Sequence, residues 1–258
     1  MNQKPIVYIV GAGPGDPDML TVKALRLIQS AEVVIIDRLV SAEIQALVNQ
    51  DASIIYVGKV PGMHCVPQDE INEILVNQAR SGRQVVRLKG GDPYVFGRGS
   101  EEAEYLVRNN VAFEIVPGIS AASGCTKAAG IPLTHRDLAT GVQFVTGHRL
   151  AGKDLDHNWQ NLADPNTTLV IYMGLSNIGT ITENLIKAGL PASTPAAAIE
   201  NGSTKDIRTC FTTLDNLHQR MEQESFKNPT LFVIGRVVNL AAILNAEETQ
   251  PENTVEFG

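Results

Sequence analysis

Short apolar, β-branched runs alternate along the chain with longer segments in which apolar residues return every three or four positions. The runs "IVYIV" from Ile6, "EVVIID" from Glu32, "SIIYV" from Ser53, "QVVRL" from Gln84 and "AFEIV" from Ala112 predict strands. Between the first two lies the helical pattern "MLTVKALRLIQSA", and before the fourth lies "PQDEINEILVNQARSG". The latter predicts a helix with Pro67 at its first position, acids early, apolar residues at helical spacing and Gly82 as its stop. Such alternation is the signature of an α/β fold built on a mostly parallel sheet.

A second series follows the loop "GIPLTHRDLATG": strands "VQFVT", "TTLVIYM", "PAAAIE", "IRTCFTT" and "TLFVIG", less regularly separated by helices, which predicts a mixed sheet. Two α/β domains fit this pattern better than one long sheet. We place them at 1–116 and 117–246, with a polar, acidic tail over 247–258. A ligand is then expected in the cleft between them, because open α/β sheets carry their sites beyond the C-terminal strand ends.

The turns after the first five strands hold the unusual residues. "GAGPGDP" follows the first and suggests a dinucleotide fingerprint, and Asp37 stands about twenty residues on, where a ribose-binding acid would lie. Asp16 occupies the final glycine position, however, and Pro14 and Pro17 lack the N–H groups a phosphate cradle needs. The turn therefore speaks against a diphosphate. "KGGDPYVFGRG" after the fourth strand combines small residues with Asp92 and has no phosphate-loop ending. Close backbone approach beside a carboxylate suits a ligand with hydroxyls and positive charge, such as an adenosine bearing a sulfonium amino acid. Ser100 reads as the cap of the next helix, where Glu101 and Glu102 would favour the dipole. Arg98, between two glycines, has less structural reason to be there.

Composition narrows the field further. With 258 residues, 43% of them apolar, the chain can fill real cores, and its net charge of −7 lacks the basic footprint of nucleic-acid binding. Cys65, Cys125 and Cys210 lie far apart and outside any C-x-x-C spacing, which predicts reduced thiols and a cytoplasmic protein. The five histidines show no metal-ligand pairing, so no metal is expected. "MNQKP" runs straight into a strand as no leader would, and no apolar run has membrane-spanning length.

From about residue 5 to residue 245, "VGAGPGDPDMLT", "YVGK", "PQDEIN", "RLKGGDPYVFGRGSEE", "VPGISAA", "GIPLTHRD", "VTGH", "IYMG" and "IENG" occur in that order. This set resembles the uroporphyrinogen-III C-methyltransferases of the tetrapyrrole methylase family. The resemblance implies two α/β domains, a homodimer, and S-adenosylmethionine as the donor, leaving S-adenosylhomocysteine. It implies methylation of two pyrrole carbons of uroporphyrinogen III, giving precorrin-2 for siroheme or cobalamin. Position by position, it puts the cofactor against Pro14, Gly90, Gly91, Asp92, Val95, Ser120, Ala121, Met173 and Gly202. It matches the family's proton acceptor and donor to Asp37 and Lys59, and its substrate-facing residues to Arg98, Glu101 and Arg136. Met173 would otherwise pass for core packing and Ser120 for a helix cap.

The implied chemistry suits these residue types. An electron-rich pyrrole carbon attacks a sulfonium methyl directly, so alignment supplies much of the acceleration, and a carboxylate helps remove the resulting proton. Eight substrate carboxylates call for cations, which Lys59, Arg98 and Arg136 offer. Two stretches depart from the pattern. "STKDIRT" stands where the family usually has a Pro and a Gln-Arg pair, and "SGCTKAAG" is more polar than the usual alanine-rich helix. The resemblance further implies a methyltransferase without the dehydrogenase and chelatase module of some relatives. Three alternatives stay open: another precorrin methyltransferase of the cobalamin pathway, a nicotinamide-dependent oxidoreductase, and a non-catalytic binding module.

Overall fold

A computed structural model describes residues 6–58, 66–148 and 155–246. The chain divides into two compact units: the described residues up to Gly124 together with Ser203–Asp206, and Cys125–Gly202 with the remainder. The change of unit thus falls later than 116, and a short stretch after "IENG" returns to the first unit.

In the first unit β1 (Ile6–Gly11), β2 (Val33–Ile36), β3 (Ser53–Tyr56), β4 (Val85–Lys89) and β5 (Ala112–Val116) form a sheet in the order β3-β2-β4-β1-β5. Every pairing is parallel, as the alternation predicts. The central strands β2 and β4 are buried along their whole length, which explains why "VVII" shows no polar alternation. One face of the sheet packs Val10, Val34, Ile36 and Leu88 against Ala24 and Ile28 of α1 (Val22–Ser30). The other packs Val7, Ile9, Ile35 and Val85 against α3 (Gln68–Arg80), which follows the short α2 (Ala42–Gln45), and α4 (Gly99–Arg108).

Local chemistry sets the helix ends. The Thr21 hydroxyl accepts from Ala24 N–H at 3.1 Å and starts α1. Pro67 is the N-cap of α3 rather than its first residue, and Gly82, at φ +81°, stops it. Neighbouring strands β1 and β4 send their connections to opposite faces, through α1 and α4 respectively. That is the topological switch point of the sheet, where a crevice opens at the strand ends.

After α5 (Ala121–Ala128), the second unit's sheet has the order β6-β7-β10-β8-β9, from β6 (Gly141–Thr146), β7 (Thr167–Tyr172), β8 (Pro195–Glu200), β9 (Arg208–Thr213) and β10 (Thr230–Ile234). Only β6 and β7 run parallel, which makes the sheet mixed as expected. Leu169, Ile171 and Phe232 pack on one face against Ile178, Ile181 and Leu185 of α7 (Ile178–Lys187), which follows the short α6 (Trp159–Leu162), and against Leu217 and Met221 of α8 (Leu217–Gln223). The short α9 (Ala241–Leu244) follows the last strand.

Candidate functional site

The two glycine loops of the first unit meet at the switch point. Gly13 N–H donates to Gly91 O at 3.1 Å, Gly91 N–H donates to Gly13 O at 2.7 Å, and Ala12 N–H donates to Lys89 O at 2.7 Å. A third loop, after β5, locks onto them. A Cβ on Gly118 would lie 2.3 Å from Gly91 O, and one on Gly11 would lie 2.5 Å from Gly118 N. Gly11 and Gly118 therefore stand, against the Gly91 carbonyl, where no side chain is admitted. Asp92 completes the joint, its Oδ1 accepting from Tyr94 N–H at 2.8 Å and its Oδ2 from Gly118 N–H at 3.1 Å. Both oxygens of this predicted cofactor residue are thus engaged with backbone.

Gly91 differs from its two neighbours. It sits at φ +69°, and a Cβ there would meet only Ala121 N, at 3.8 Å. Conformation demands glycine, yet the space beside it is open toward the start of α5. Ser120 precedes that helix and its hydroxyl accepts weakly from Ser123 N–H at 3.4 Å. Pro14 packs toward Gly124, whose Cβ would lie 2.3 Å from Pro14 Cγ. Pro14, Gly90, Gly91, Val95, Ser120 and Ala121 are all half-buried. Asp16 is spent as a cap, its Oδ1 accepting from Asp18 N–H at 2.9 Å. The first turn therefore offers no diphosphate cradle.

Of the predicted substrate-side groups, Asp37, Arg98 and Glu101 belong to the first unit. Arg98, not Ser100, occupies the N-cap of α4, in the left-handed region at φ +59°, and makes no side-chain cap bond. The turn preceding it, not a serine hydroxyl, starts this helix: Gly99 N–H donates to Pro93 O at 2.9 Å. Arg98 instead donates to Glu101 with Nε at 2.9 Å and Nη2 at 2.7 Å. This fork holds the Glu101 carboxyl below the usual carboxylate range and raises Arg98 further. Lys59 lies outside the described residues. Arg136 lies in the second unit, exposed on a tight turn closed by His135 and Ala139.

Beneath Asp37 lies a group that the sequence reading did not single out. Arg87 of β4 is 2% exposed, Lys89 3% and Glu102 of α4 fully buried. Arg87 donates from Nη2 to Asp37 Oδ2 at 3.2 Å, from Nε to Glu102 Oε1 at 3.1 Å and from Nη1 to Ile35 O at 3.3 Å. Lys89 Nζ and Gln68 Nε2 donate to the same Glu102 oxygen, at 2.9 and 3.3 Å. Burial, then repulsion from Arg87, pulls the Lys89 ammonium below the ordinary lysine range, against the attraction of Glu102. Arginine and lysine two apart in a strand share a face, and that pattern, with Glu102 entering the next helix, was the available signal.

In the second unit Met173 adopts φ +53° and is 46% exposed, so it is not core packing. It follows β7, where Gly147 N–H donates to Tyr172 O at 2.7 Å and a Cβ on Gly147 would lie 2.4 Å from Gly174 Cα. Gly202 is buried against Cys125, whose Sγ would lie 2.4 Å from a Cβ at that position. Among the described residues no group of His, Cys, Asp or Glu is arranged to hold a metal, and no helix is long and apolar enough to cross a membrane.

The family model of the tetrapyrrole (corrin/porphyrin) methylases matches residues 6–218. The chain is 52% identical over 239 residues to a siroheme synthase of Pseudoalteromonas atlantica, covering 93% of this chain and 52% of that protein. It thus spans about half the length of the curated relatives it matches. Among solved structures it is similar to the uroporphyrin-III C-methyltransferase of Thermus thermophilus complexed with S-adenosylhomocysteine. That match has 38% identity and a TM-score of 0.78, and covers 91% of this chain and 93% of that one. A cobalamin biosynthetic enzyme, cobalt precorrin-4 methyltransferase, is 28% identical with a TM-score of 0.80, covering 91% and 96%.

Proposed function

The chain belongs to the tetrapyrrole (corrin/porphyrin) methylases, and from that premise we propose that it methylates uroporphyrinogen III at two pyrrole carbons, giving precorrin-2. The observation that carries the reading is the joined pair of glycine loops with the open, left-handed Gly91 between them. Its shape fits S-adenosylmethionine: small backbone, hydroxyl and amide groups at Gly90, Gly91, Ser120 and Ala121, and no phosphate cradle. When bound, this cofactor supplies an electrophilic methyl group on a sulfonium.

Pro14 and Val95 would flank that seat, and Asp92 would keep its shape by tying the loop after β4 to the loop after β5. Met173 in "IYMG" and Gly202 in "IENG" would contribute to cofactor binding from the second unit. Asp37 has one oxygen on Arg87 and the other facing Leu39 N–H at 3.4 Å, and its side chain is 27% exposed. It would take the proton that the ring loses as the new carbon–carbon bond forms. Lys59 would serve as proton donor. Arg98 and Arg136 would receive substrate carboxylates, with Glu101 orienting Arg98.

Anaerobic incubation with uroporphyrinogen III and S-adenosylmethionine, followed by mass measurement, tests this. A product carrying two added methyl groups is expected. Methylation of a later corrinoid precursor alone would favour the cobalamin-pathway alternative, to which identity is lower. Cofactor binding without turnover of either would leave a binding module. The same reading takes the protein as a cytoplasmic homodimer, which sedimentation equilibrium checks for the oligomer.

A further inference from the structure

Burying three charged side chains is costly. Each ion gives up hydration that apolar residues would not forfeit, and well-packed replacements of such clusters are often neutral or stabilising. Yet Arg87 and Lys89 alternate along a strand whose remaining residues are Val85, Val86 and Leu88, and Glu102 of α4 meets them there. Their charges balance only as a foursome: two cations, Arg87 and Lys89, against Glu102 and the partly buried Asp37. Glu102 accepts three hydrogen bonds on Oε1, while its Oε2 is buried without a partner among the described residues. The carboxylate is thus committed to clamping the two cations and not to balanced solvation.

We infer that Arg87 and Glu102 are positioning residues for Asp37, Glu102 fixing the Arg87 guanidinium so that its outer nitrogen holds the Asp37 carboxylate in one orientation at the strand end. The planar fork is essential to this task. Arg87 reaches Glu102 with Nε, the Ile35 carbonyl with Nη1 and Asp37 with Nη2, in three directions that one ammonium cannot serve. The same clamp ties the first turn of α4 to β4, and the residue beside Glu102 in that turn is Glu101, the partner of Arg98. Asp37 and the Arg98–Glu101 pair are therefore referenced to one buried anchor.

The inference rests on the proposed methyltransferase reading for its catalytic consequence but not for its geometry, and the test separates the two. Crystal structures of the wild type and Arg87→Lys are expected to show the Asp37 carboxylate in one orientation in the former and displaced or split in the latter. An unmoved carboxylate overturns the inference, whatever the activity. With uroporphyrinogen III, Arg87→Lys should lower kcat by roughly a hundredfold, the scale of a misplaced reacting group, while calorimetric affinity for S-adenosylmethionine stays within about twofold. In an Asp37→Asn background the same substitution should cost less than about twofold, because its route of action is already gone. Equal losses in both backgrounds would mean a merely structural role. If Arg87→Lys fails to fold, the paired variant Arg87→Met/Glu102→Gln removes one cation and one anion together and is held to the same outcomes. A wild type that leaves uroporphyrinogen III unchanged sinks the functional reading, and the crystallographic comparison still decides the positioning.

Discussion

Arg98 spreads its guanidinium across both carboxylate oxygens of Glu101, three residues on, and both side chains remain half open to solvent. An ion pair so exposed contributes little to stability. Its fixed geometry is better explained by what approaches it from outside. We predict that Arg98→Lys loses about a hundredfold in turnover, because an ammonium cannot reproduce a planar fork toward a substrate carboxylate. Thermal midpoint and S-adenosylmethionine affinity should barely change. Turnover within a few-fold of wild type would reduce Arg98 to a surface charge.

Gly91 and Gly118 lie in the same joint but should fail differently. Gly91→Val has room for its side chain, at a strain of about 1–2 kcal/mol for a left-handed residue, so it should fold and lose cofactor binding. Gly118→Ala drives a methyl against Gly91 O and should cost upward of about 1–3 kcal/mol in stability. Denaturant unfolding and calorimetry on both variants separate seat from joint. A folded Gly91→Val with normal binding would make that loop a turn only.

Ligand choice gives a third test. Asp16 is committed to its own turn, and Pro14 and Pro17 donate nothing, so titration with NAD should release no binding heat while S-adenosylmethionine does. The reverse result would overturn the assignment of the loops.

Cys125 should be chemically silent in the folded protein. Burial pushes its thiol from 9.0 up to about 12, leaving about a thousandfold less thiolate at pH 8 than an open cysteine. Alkylation followed by peptide mass measurement should leave Cys125 unmodified in buffer and modified in urea. A folded pKa above the unfolded one adds stability below about pH 9 that is lost as the pH rises toward about 12. Rapid native labelling would mean that the helix carrying it opens readily.

The strands and the glycine loops were legible because each is written locally, in a β-branched run or a glycine that must turn. The anchor beneath Asp37 was not. In "QVVRLKGG", Arg87 and Lys89 alternate with Val86 and Leu88 as they would on a half-solvated strand, and only packing by α3 and α4 buries that face. Glu102 likewise reads as a dipole-favouring acid until Lys89 and Arg87 meet it. Ser100 reads as a cap because it precedes the acids, whereas the left-handed turn at Arg98 begins the helix two residues earlier. The return of Ser203–Asp206 to the first unit is a tertiary event without a local mark, although Thr204 Cγ2 stands 2.7 Å from where a Gly15 side chain would begin.

The interlocked glycines also bear on how such a protein could be re-engineered. Gly11 and Gly118 occupy each other's side-chain space and both press on the Gly91 carbonyl, so neither can be exchanged without disturbing the joint. A library aimed at new acceptors would waste its diversity there. Tyr94, whose side chain is exposed on the loop that Asp92 pins in place, can be varied without entering the joint, and that is where altered selectivity should be sought.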